Sequence, residues 1–78
     1  MKELVEYIAG ALVEQPSEMK VTEERSGNRV RLELFVAKED MGRVIGKGGR
    51  VANSMRTLLR VAAAREGKQV TLDIVEPK

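Results

Sequence analysis

The most constraining feature of this chain is a run near its middle in which every second residue is apolar. Four aliphatic residues take part: Val30, Leu32, Leu34 and Val36. Successive side chains on a strand point to opposite faces of a sheet, so the alternation predicts a β-strand with one buried face. A strand is not stable alone, and the rest of the chain must supply partner strands and a helical layer to cover that face.

The segment before this strand predicts a helix and a second strand. Apolar residues recur at helical spacing over residues 3–14, and Pro16 should end that helix because proline cannot continue the hydrogen-bond ladder. The predicted inner face consists of Leu4, Val5, Ile8, Ala11 and Leu12. Met19 and Val21 alternate with polar residues, and the turn signal at residues 26–28 predicts a hairpin with the central strand.

The segment after the central strand predicts two helices and a last strand. A short helix should begin near residues 39–40, where two acids suit a helix N-terminus, and its apolar residues are Met41, Val44 and Ile45. A glycine-rich segment at residues 46–49 separates it from a longer helix, which Gly67 should end. The predicted apolar face of the longer helix is Val51, Met55, Leu58, Leu59 and Ala62. The last strand is indicated by Val70, Leu72 and Ile74.

The element order α-β-β-α-α-β predicts an α+β fold with a three-stranded mixed sheet. Two helices join the second and third strands, and such a right-handed crossover sets those strands parallel and adjacent. The first strand then pairs antiparallel on the other side of the second. All three helices should cover one face of the sheet, which leaves Phe35 on the opposite face. The length of 78 residues is room for one domain, predicted to span residues 1–78.

The composition favours a binding domain over an enzyme. Cysteine and histidine are both absent, which excludes disulfides, thiolate or imidazole metal sites, and catalysis by either side chain. We therefore expect no catalytic residue, no metal and no cofactor. The apolar run from Ile8 to Val13 is too short to span a bilayer, and Glu3 and Glu6 are not expected in a signal peptide. The expectation is a cytoplasmic protein with no membrane partner.

Charge is segregated along the chain although the net charge is only +2. Residues 41–65 contain six basic side chains and no acid, whereas residues 1–40 have a net charge of −3 and residues 66–78 of −1. Arg56 and Arg60 are predicted to lie on the longer helix roughly opposite its apolar face. The basic segment is either a solvated helix surface or the docking surface of an anionic partner.

The glycine-rich segment Gly46-Lys47-Gly48-Gly49 suits a phosphate. Its backbone can be approached closely, and it opens a helix whose unpaired N–H groups and positive dipole end point outward. A P-loop fails on spacing and lacks the Ser or Thr that follows the lysine. A dinucleotide fingerprint fails because its third glycine would be Val51 and no strand precedes the loop. The GXXG loop of KH domains fits both the spacing and the two flanking helices.

The hexapeptide Val44-Ile45-Gly46-Lys47-Gly48-Gly49 resembles the core motif of KH domains. The element order resembles the type II form of that fold. The small size of the chain also resembles the short bacterial single-KH proteins of the KhpA type, as do the segments Gly42-Arg43 and Arg56-Thr57-Leu58-Leu59. The resemblance covers nearly the whole chain. One departure is Ala52, where the general motif has a large aliphatic residue; Val51 and Met55 are the candidates to supply that bulk.

The resemblance implies non-catalytic binding of single-stranded RNA, with the loop clamping the backbone of about four nucleotides. The loop role falls to Gly46, Lys47, Gly48 and Gly49. The groove and the flanking contacts are implied for six more residues: Val44, Ile45, Arg43, Arg50, Asn53 and Arg56. Of these, Val44 and Ile45 line or support the groove, while Arg43 and Arg50 add phosphate contacts. A post-transcriptional regulator or RNA chaperone is implied, which forms a homodimer or pairs with a larger KH protein of the KhpB or Jag type.

Two other functions remain open at this point. Two helices that meet at a glycine turn are also found in helix-turn-helix DNA-binding proteins. A scaffold or assembly protein with incidental RNA contact would also carry a basic segment. Phe35 is either a stray exposed aromatic or part of a partner interface.

Overall fold

The computed structural model describes residues 1–76, so residues 77 and 78 of the predicted domain lie outside the described residues. The α-helices are α1 (Lys2–Leu12), α2 (Met41–Ile45) and α3 (Arg50–Arg65), and the strands are β1 (Lys20–Ser26), β2 (Arg29–Phe35) and β3 (Gln69–Val75). Short 3₁₀ turns lie at Pro16–Glu18, Lys38–Asp40 and Lys47–Gly49. The predicted element order is confirmed.

The sheet has the predicted topology, with strand order β1-β2-β3. β1 pairs antiparallel with β2, where Val21 lies opposite Leu34. β2 pairs parallel with β3, where Leu32 lies opposite Leu72. Because β2 is central, β1 and β3 are both edge strands.

The core lies between the helices and one face of the sheet. It contains residues from all three α-helices and all three strands: Val5, Ala9, Val21, Val30, Leu32, Leu34, Val36, Val44, Met55, Leu59 and Leu72. The alternating residues of β2 are therefore inside, as predicted. Phe35 lies on the other face, half-buried, beside Lys20 of β1 and Val75 of β3.

The buried face of α3 differs from the predicted one. Its fully buried residues are Ala52, Met55, Leu59 and Ala63. Leu58 was predicted inside but is 49% exposed, while Val51 and Ala62 are only half-buried. Alanines at both ends of the buried stripe let the helix lie close to the sheet, and the helix is turned so that the leucine at position 58 faces outward.

α1 also ends earlier than predicted, at Leu12 rather than residue 14. Ala11 is exposed and Leu12 is 37% exposed, so both were wrongly assigned to its inner face. Pro16 lies four residues after Leu12, so the N–H that would bond the Leu12 carbonyl is missing, in agreement with the predicted stop. The N–H groups of Glu14 and Gln15 donate to the two carboxylate oxygens of Asp40, each at 3.0 Å, and these bonds hold the chain where it leaves the helix.

Candidate nucleic-acid interface

The glycine loop Gly46–Gly49 connects α2 to α3 in a conformation that requires glycine. Gly46 has φ 76° and ψ 170°, and Gly48 and Gly49 have φ values of 64° and 79°. A Cβ atom on Gly46 would lie 2.5 Å from Cγ2 of Val51 and 2.8 Å from its backbone nitrogen. A Cβ atom on Gly48 would meet nothing within 4 Å, so the outer side of the loop is open to a ligand.

The loop presents positive charge at the start of a long helix. Lys47, Gly48 and Arg50 are exposed, and the first turn of α3 contains no acidic residue. No side chain caps the N-terminus of this helix within the described part of the chain. The N–H groups of Gly49 and Arg50 already donate to the carbonyls of Gly46 and Lys47. What the loop offers at one exposed place is the positive end of the helix dipole and two full charges, which suits a phosphate.

A groove runs beside α3 along the edge strand β3. The Arg56 guanidinium crosses it, with Nε donating to the Leu72 carbonyl at 3.1 Å and Nη1 donating to Asn53 Oδ1 at 3.3 Å. The groove at this point has a volume of about 250 Å³ and is lined by Arg56, Leu59, Arg60, Val70, Thr71, Leu72 and Asp73. Its lining is therefore apolar at Leu59, Val70 and Leu72 and charged at Arg56, Arg60 and Asp73.

The family model described as KhpA/KhpB, KH domain matches residues 2–74. This chain belongs to the KhpA/KhpB KH-domain family. Among known relatives, the RNA-binding protein KhpA of Clostridium acetobutylicum is 48% identical over 75 residues, covering 96% of this chain and all of the relative. The RNA-binding protein KhpA of Chlamydia pneumoniae is 42% identical over 78 residues, covering both chains fully.

A solved structure shares the fold. In the crystal structure of Era in complex with MgGDPNP and nucleotides 1506–1542 of 16S ribosomal RNA, a region superimposes with a TM-score of 0.53 and 22% sequence identity. The match covers 94% of this chain and 28% of the Era chain. The type II KH fold predicted from the motif and the element order is thus confirmed.

Most of the predicted site residues lie around the KH loop. Arg50, Asn53 and Arg56 follow it along α3. Val44 is fully buried and therefore supports the loop from the core, and Ile45 is half-buried next to it. Ala52, the departure from the KH motif, is buried, and Met55 is buried one turn further along α3. The buried face of α3 therefore has a smaller side chain at position 52 than the general motif would place there.

Arg43 is directed elsewhere. Its guanidinium pairs with the Glu14 carboxylate, lies 3.9 Å from Asp40 Oδ1 and donates to the Glu39 carbonyl at 3.3 Å. These contacts hold the Arg43 side chain against the segment that follows α1. The structure thus separates it from the cations of the loop and α3.

Sequence reasoning missed two contributions to this site. Asp40 was interpreted through its charge at a helix start, yet it makes no cap hydrogen bond and instead clamps the segment after α1 from a position that is 1% exposed. Arg60 was placed opposite the apolar face, yet it lines the groove with Arg56. The basic, acid-free stretch of residues 41–65 was the available signal for Arg60.

Two kinds of feature are absent from the described residues: a membrane-spanning helix and a metal-binding cluster. No helix within residues 1–76 is long and apolar enough to cross a membrane. The same residues bring together no group of His, Cys, Asp or Glu side chains that would hold a metal ion.

Proposed function

We propose that this KH domain, spanning the whole chain, binds single-stranded RNA through the loop Gly46–Gly49 and the groove between α3 and β3. The observation that carries the proposal is the loop itself: three glycines with positive φ, an exposed lysine and the open N-terminus of α3 meet at one exposed place. The relatives that are 42–48% identical to this chain are named RNA-binding protein KhpA, which supports the same function.

The proposed mechanism is a clamp on the sugar-phosphate backbone. Because the loop lacks side chains at three of its four positions, a phosphate can approach the loop backbone and the positive end of the α3 dipole closely. Lys47 and Arg50 supply the neutralising charges. The bases then turn toward the groove, where the half-buried Val70 offers apolar surface beside the buried Leu59 and Leu72, and Arg56 lies across the strand edge. KH recognition of this kind needs no aromatic platform, and the chain has only Tyr7 and Phe35.

We infer that binding proceeds without catalysis, cofactor or metal, in the cytoplasm, as part of post-transcriptional regulation or RNA chaperoning. The absence of histidine and cysteine from the chain supports the non-catalytic part of this proposal, since no imidazole or thiolate is present to transfer protons or attack a phosphate. The helix-turn-helix alternative is not favoured. α2 has only five residues, and α3 lies along β3 with Arg56 bonded to the sheet, so α3 is not free to enter a groove of duplex DNA.

A second copy or a larger KhpB-type protein is the proposed protein partner. A single KH domain contacts few nucleotides, and linking two such sites raises the overall affinity through effective concentration. The outer sheet face around Phe35 and Val75 is the proposed contact surface, because both apolar residues are only half-buried there.

The deciding experiment replaces Lys47 and Gly48 together by Asp and measures binding to fluorescent unstructured RNA by anisotropy. The loop charge changes by −3, so the affinity should fall at least about tenfold, or about 1.4 kcal/mol. Lys47→Asp alone controls for the positive φ of Gly48, which is 64°. Arg65→Gln controls for charge loss at the other end of α3.

Circular dichroism must show native-like spectra for all variants. If both loop variants fold and bind RNA like the parent, the loop is not the binding element and the proposal is wrong. Binding to duplex DNA in preference to single-stranded RNA would revive the helix-turn-helix function.

A further inference from the structure

Arg43 lies one turn of α2 before the glycine loop, yet its side chain contacts an acid and not the loop. The turn is closed by the Gly46 N–H, which donates to the Gly42 carbonyl at 2.9 Å. Residues three apart on a helix share one side, so Arg43 starts on the side of α2 where the loop begins. Its guanidinium is nevertheless paired with the carboxylate of Glu14, which is 29 residues away along the chain.

A buried carboxylate holds the two partners of this pair together. Asp40 is 1% exposed, and its Oδ1 accepts the backbone N–H of Glu14 at 3.0 Å. The same oxygen lies 3.9 Å from Nε of Arg43. Because Asp40 fixes the backbone of Glu14 next to Arg43, the pair loses less conformational freedom than a pair between two mobile surface segments.

The Arg43 guanidinium is engaged, whereas the other cations around the loop are free. Its Nη2 donates to Glu14, and its Nη1 donates to the Glu39 carbonyl at 3.3 Å. The ion pairs among residues 1–76 include neither Lys47 nor Arg50. A phosphate at the loop can therefore use Lys47 and Arg50 directly but must compete with Glu14 for Arg43.

We infer that Glu14 is a positioning residue that holds Arg43 away from RNA and keeps the RNA affinity below what the cations of this region could reach. This inference rests on the proposed function and adds a restraint to it. Both partners are exposed, the Arg43 side chain at 43% and that of Glu14 at 70%, so a phosphate can reach the pair from solvent. An exposed ion pair is worth up to about fivefold in an equilibrium constant, and this sets the upper limit of the effect.

The restraint can be removed without disturbing the fold. Glu14→Gln keeps the backbone N–H that donates to Asp40, so the segment after α1 stays attached. The neutral amide has nearly the same size as the carboxylate but no charge to hold the guanidinium. Arg43 is then free to turn toward the loop.

The test measures the anisotropy of a fluorescent unstructured RNA with the full chain, Glu14→Gln, Arg43→Gln and the variant that carries both changes. Glu39→Gln is the matched control. It removes an exposed acid from the same region, and the contact of its carboxylate is with Gln15 Nε2 and not with Arg43. Urea denaturation of each variant reports whether the fold has changed.

We expect Glu14→Gln to bind RNA about threefold more tightly than the parent, with a salt slope steeper by about 0.7, because one more cation reaches a phosphate. Glu39→Gln should stay close to the parent. In the Arg43→Gln background, Glu14→Gln should give a smaller gain. This direction identifies the cause, because Arg43 neutralises Glu14 in the parent, and removal of a merely repelling carboxylate would help more once Arg43 is absent.

Three results would overturn the inference. Glu14→Gln could bind like Glu39→Gln, which would mean that the pair does not restrain Arg43. Its gain could be as large or larger in the Arg43→Gln background, which would mean that Glu14 acts on RNA by charge repulsion alone. Glu14→Gln could bind more weakly than the parent, which would make the pair a support of the loop.

Lys47→Asp distinguishes these failures from a failure of the proposed function. It should lower the RNA affinity whether or not Glu14 restrains Arg43, because it changes a charge of the loop itself. If Lys47→Asp binds RNA like the parent, the proposed function is wrong and the inference about Glu14 is wrong with it.

Discussion

Val51 fills the space that any side chain on Gly46 would need, since its Cγ2 lies 2.5 Å and its backbone nitrogen 2.8 Å from the position of a Cβ atom there. The contact brings the end of α2 against the first turn of α3 and holds the loop between them. Gly46 is thus required by packing as well as by its φ of 76°.

Replacing Gly46 by Ala should destabilise the fold by about 2–4 kcal/mol, because left-handed strain adds to a backbone clash. Gly48→Ala is the reference variant. Gly48 has φ 64° and ψ 19°, the αL region that other residues can adopt, and open space around the Cβ position, so its cost should be about 1–2 kcal/mol. Gly46, with ψ 170°, lies in a region adopted essentially by glycine alone, so the difference between the two variants contains that added strain as well as the clash. Urea denaturation of the two variants measures the difference.

A companion variant separates the two causes of the Gly46 effect. Trimming Val51 to Ala beside Gly46→Ala removes the Cγ2 contact but not the contact with the backbone nitrogen, so only part of the loss should return. Equal midpoints for Gly46→Ala and Gly48→Ala would show that packing against Val51 contributes nothing.

Asp40 should contribute more to the free energy of unfolding than the exposed acid next to it, Glu39. Asp40→Ala leaves the N–H groups of Glu14 and Gln15 without their acceptors and should cost about 2–4 kcal/mol. Asp40→Asn keeps one acceptor oxygen but turns an amide donor toward an N–H, so it should cost an intermediate amount. Glu39→Ala, an exposed acid one residue away, should stay within about 0.5 kcal/mol of the parent.

Chemical denaturation of the three variants decides the role of Asp40. An Asp40→Ala midpoint equal to that of Glu39→Ala would mean that the clamp on the segment after α1 is not formed in solution.

These residues also show where sequence reasoning succeeds and fails. The alternation of Val30 to Val36 and the glycines at positions 46–49 are local signals, and they were enough for the sheet topology and the loop. The position of the segment after α1 depends on Asp40, which is 25 residues from Gln15 along the chain, and no local pattern contains that contact.

The orientation of α3 about its own axis could not be predicted from the hydrophobic pattern, for a different reason. Ala52 and Ala63 are buried at 3% and 1% exposure, but alanine gives a weak hydrophobic signal compared with Leu58. A prediction that weights large apolar side chains therefore puts Leu58 on the buried face of α3 and leaves out the small alanines that are actually buried there. The same choice of face placed Arg56 and Arg60 roughly opposite the buried side, whereas the actual rotation brings them to the edge of β3.

The salt dependence of RNA binding should distinguish the cations of the loop from Arg43. With two to four phosphates neutralised, the log-log slope on single-stranded RNA should be about −1.5 to −3. Lys47→Gln and Arg50→Gln should each reduce its magnitude by about 0.7. Arg43→Gln should change it less, because the Arg43 guanidinium already pairs with Glu14.

Anisotropy titrations across a range of salt concentrations give these slopes. A slope near zero for the parent would reject backbone clamping. A loss of slope in Arg43→Gln as large as in Lys47→Gln would show that Arg43 leaves Glu14 and joins the site when RNA binds.

Phe35 provides the last prediction, because it lies on the sheet face that the helices do not cover. It is half-buried between Lys20 and Val75 of the neighbouring strands, and its inward neighbours Leu34 and Val36 form the core without it. If the outer face is the proposed protein interface, Phe35→Ser should shift a dimer toward monomer in analytical ultracentrifugation at fixed concentration, with circular dichroism unchanged. Thr71→Ser, on the same face but away from the apolar end, should leave sedimentation as in the parent. An unchanged sedimentation profile for Phe35→Ser would make Phe35 a stray half-exposed aromatic, and the partner would have to bind elsewhere.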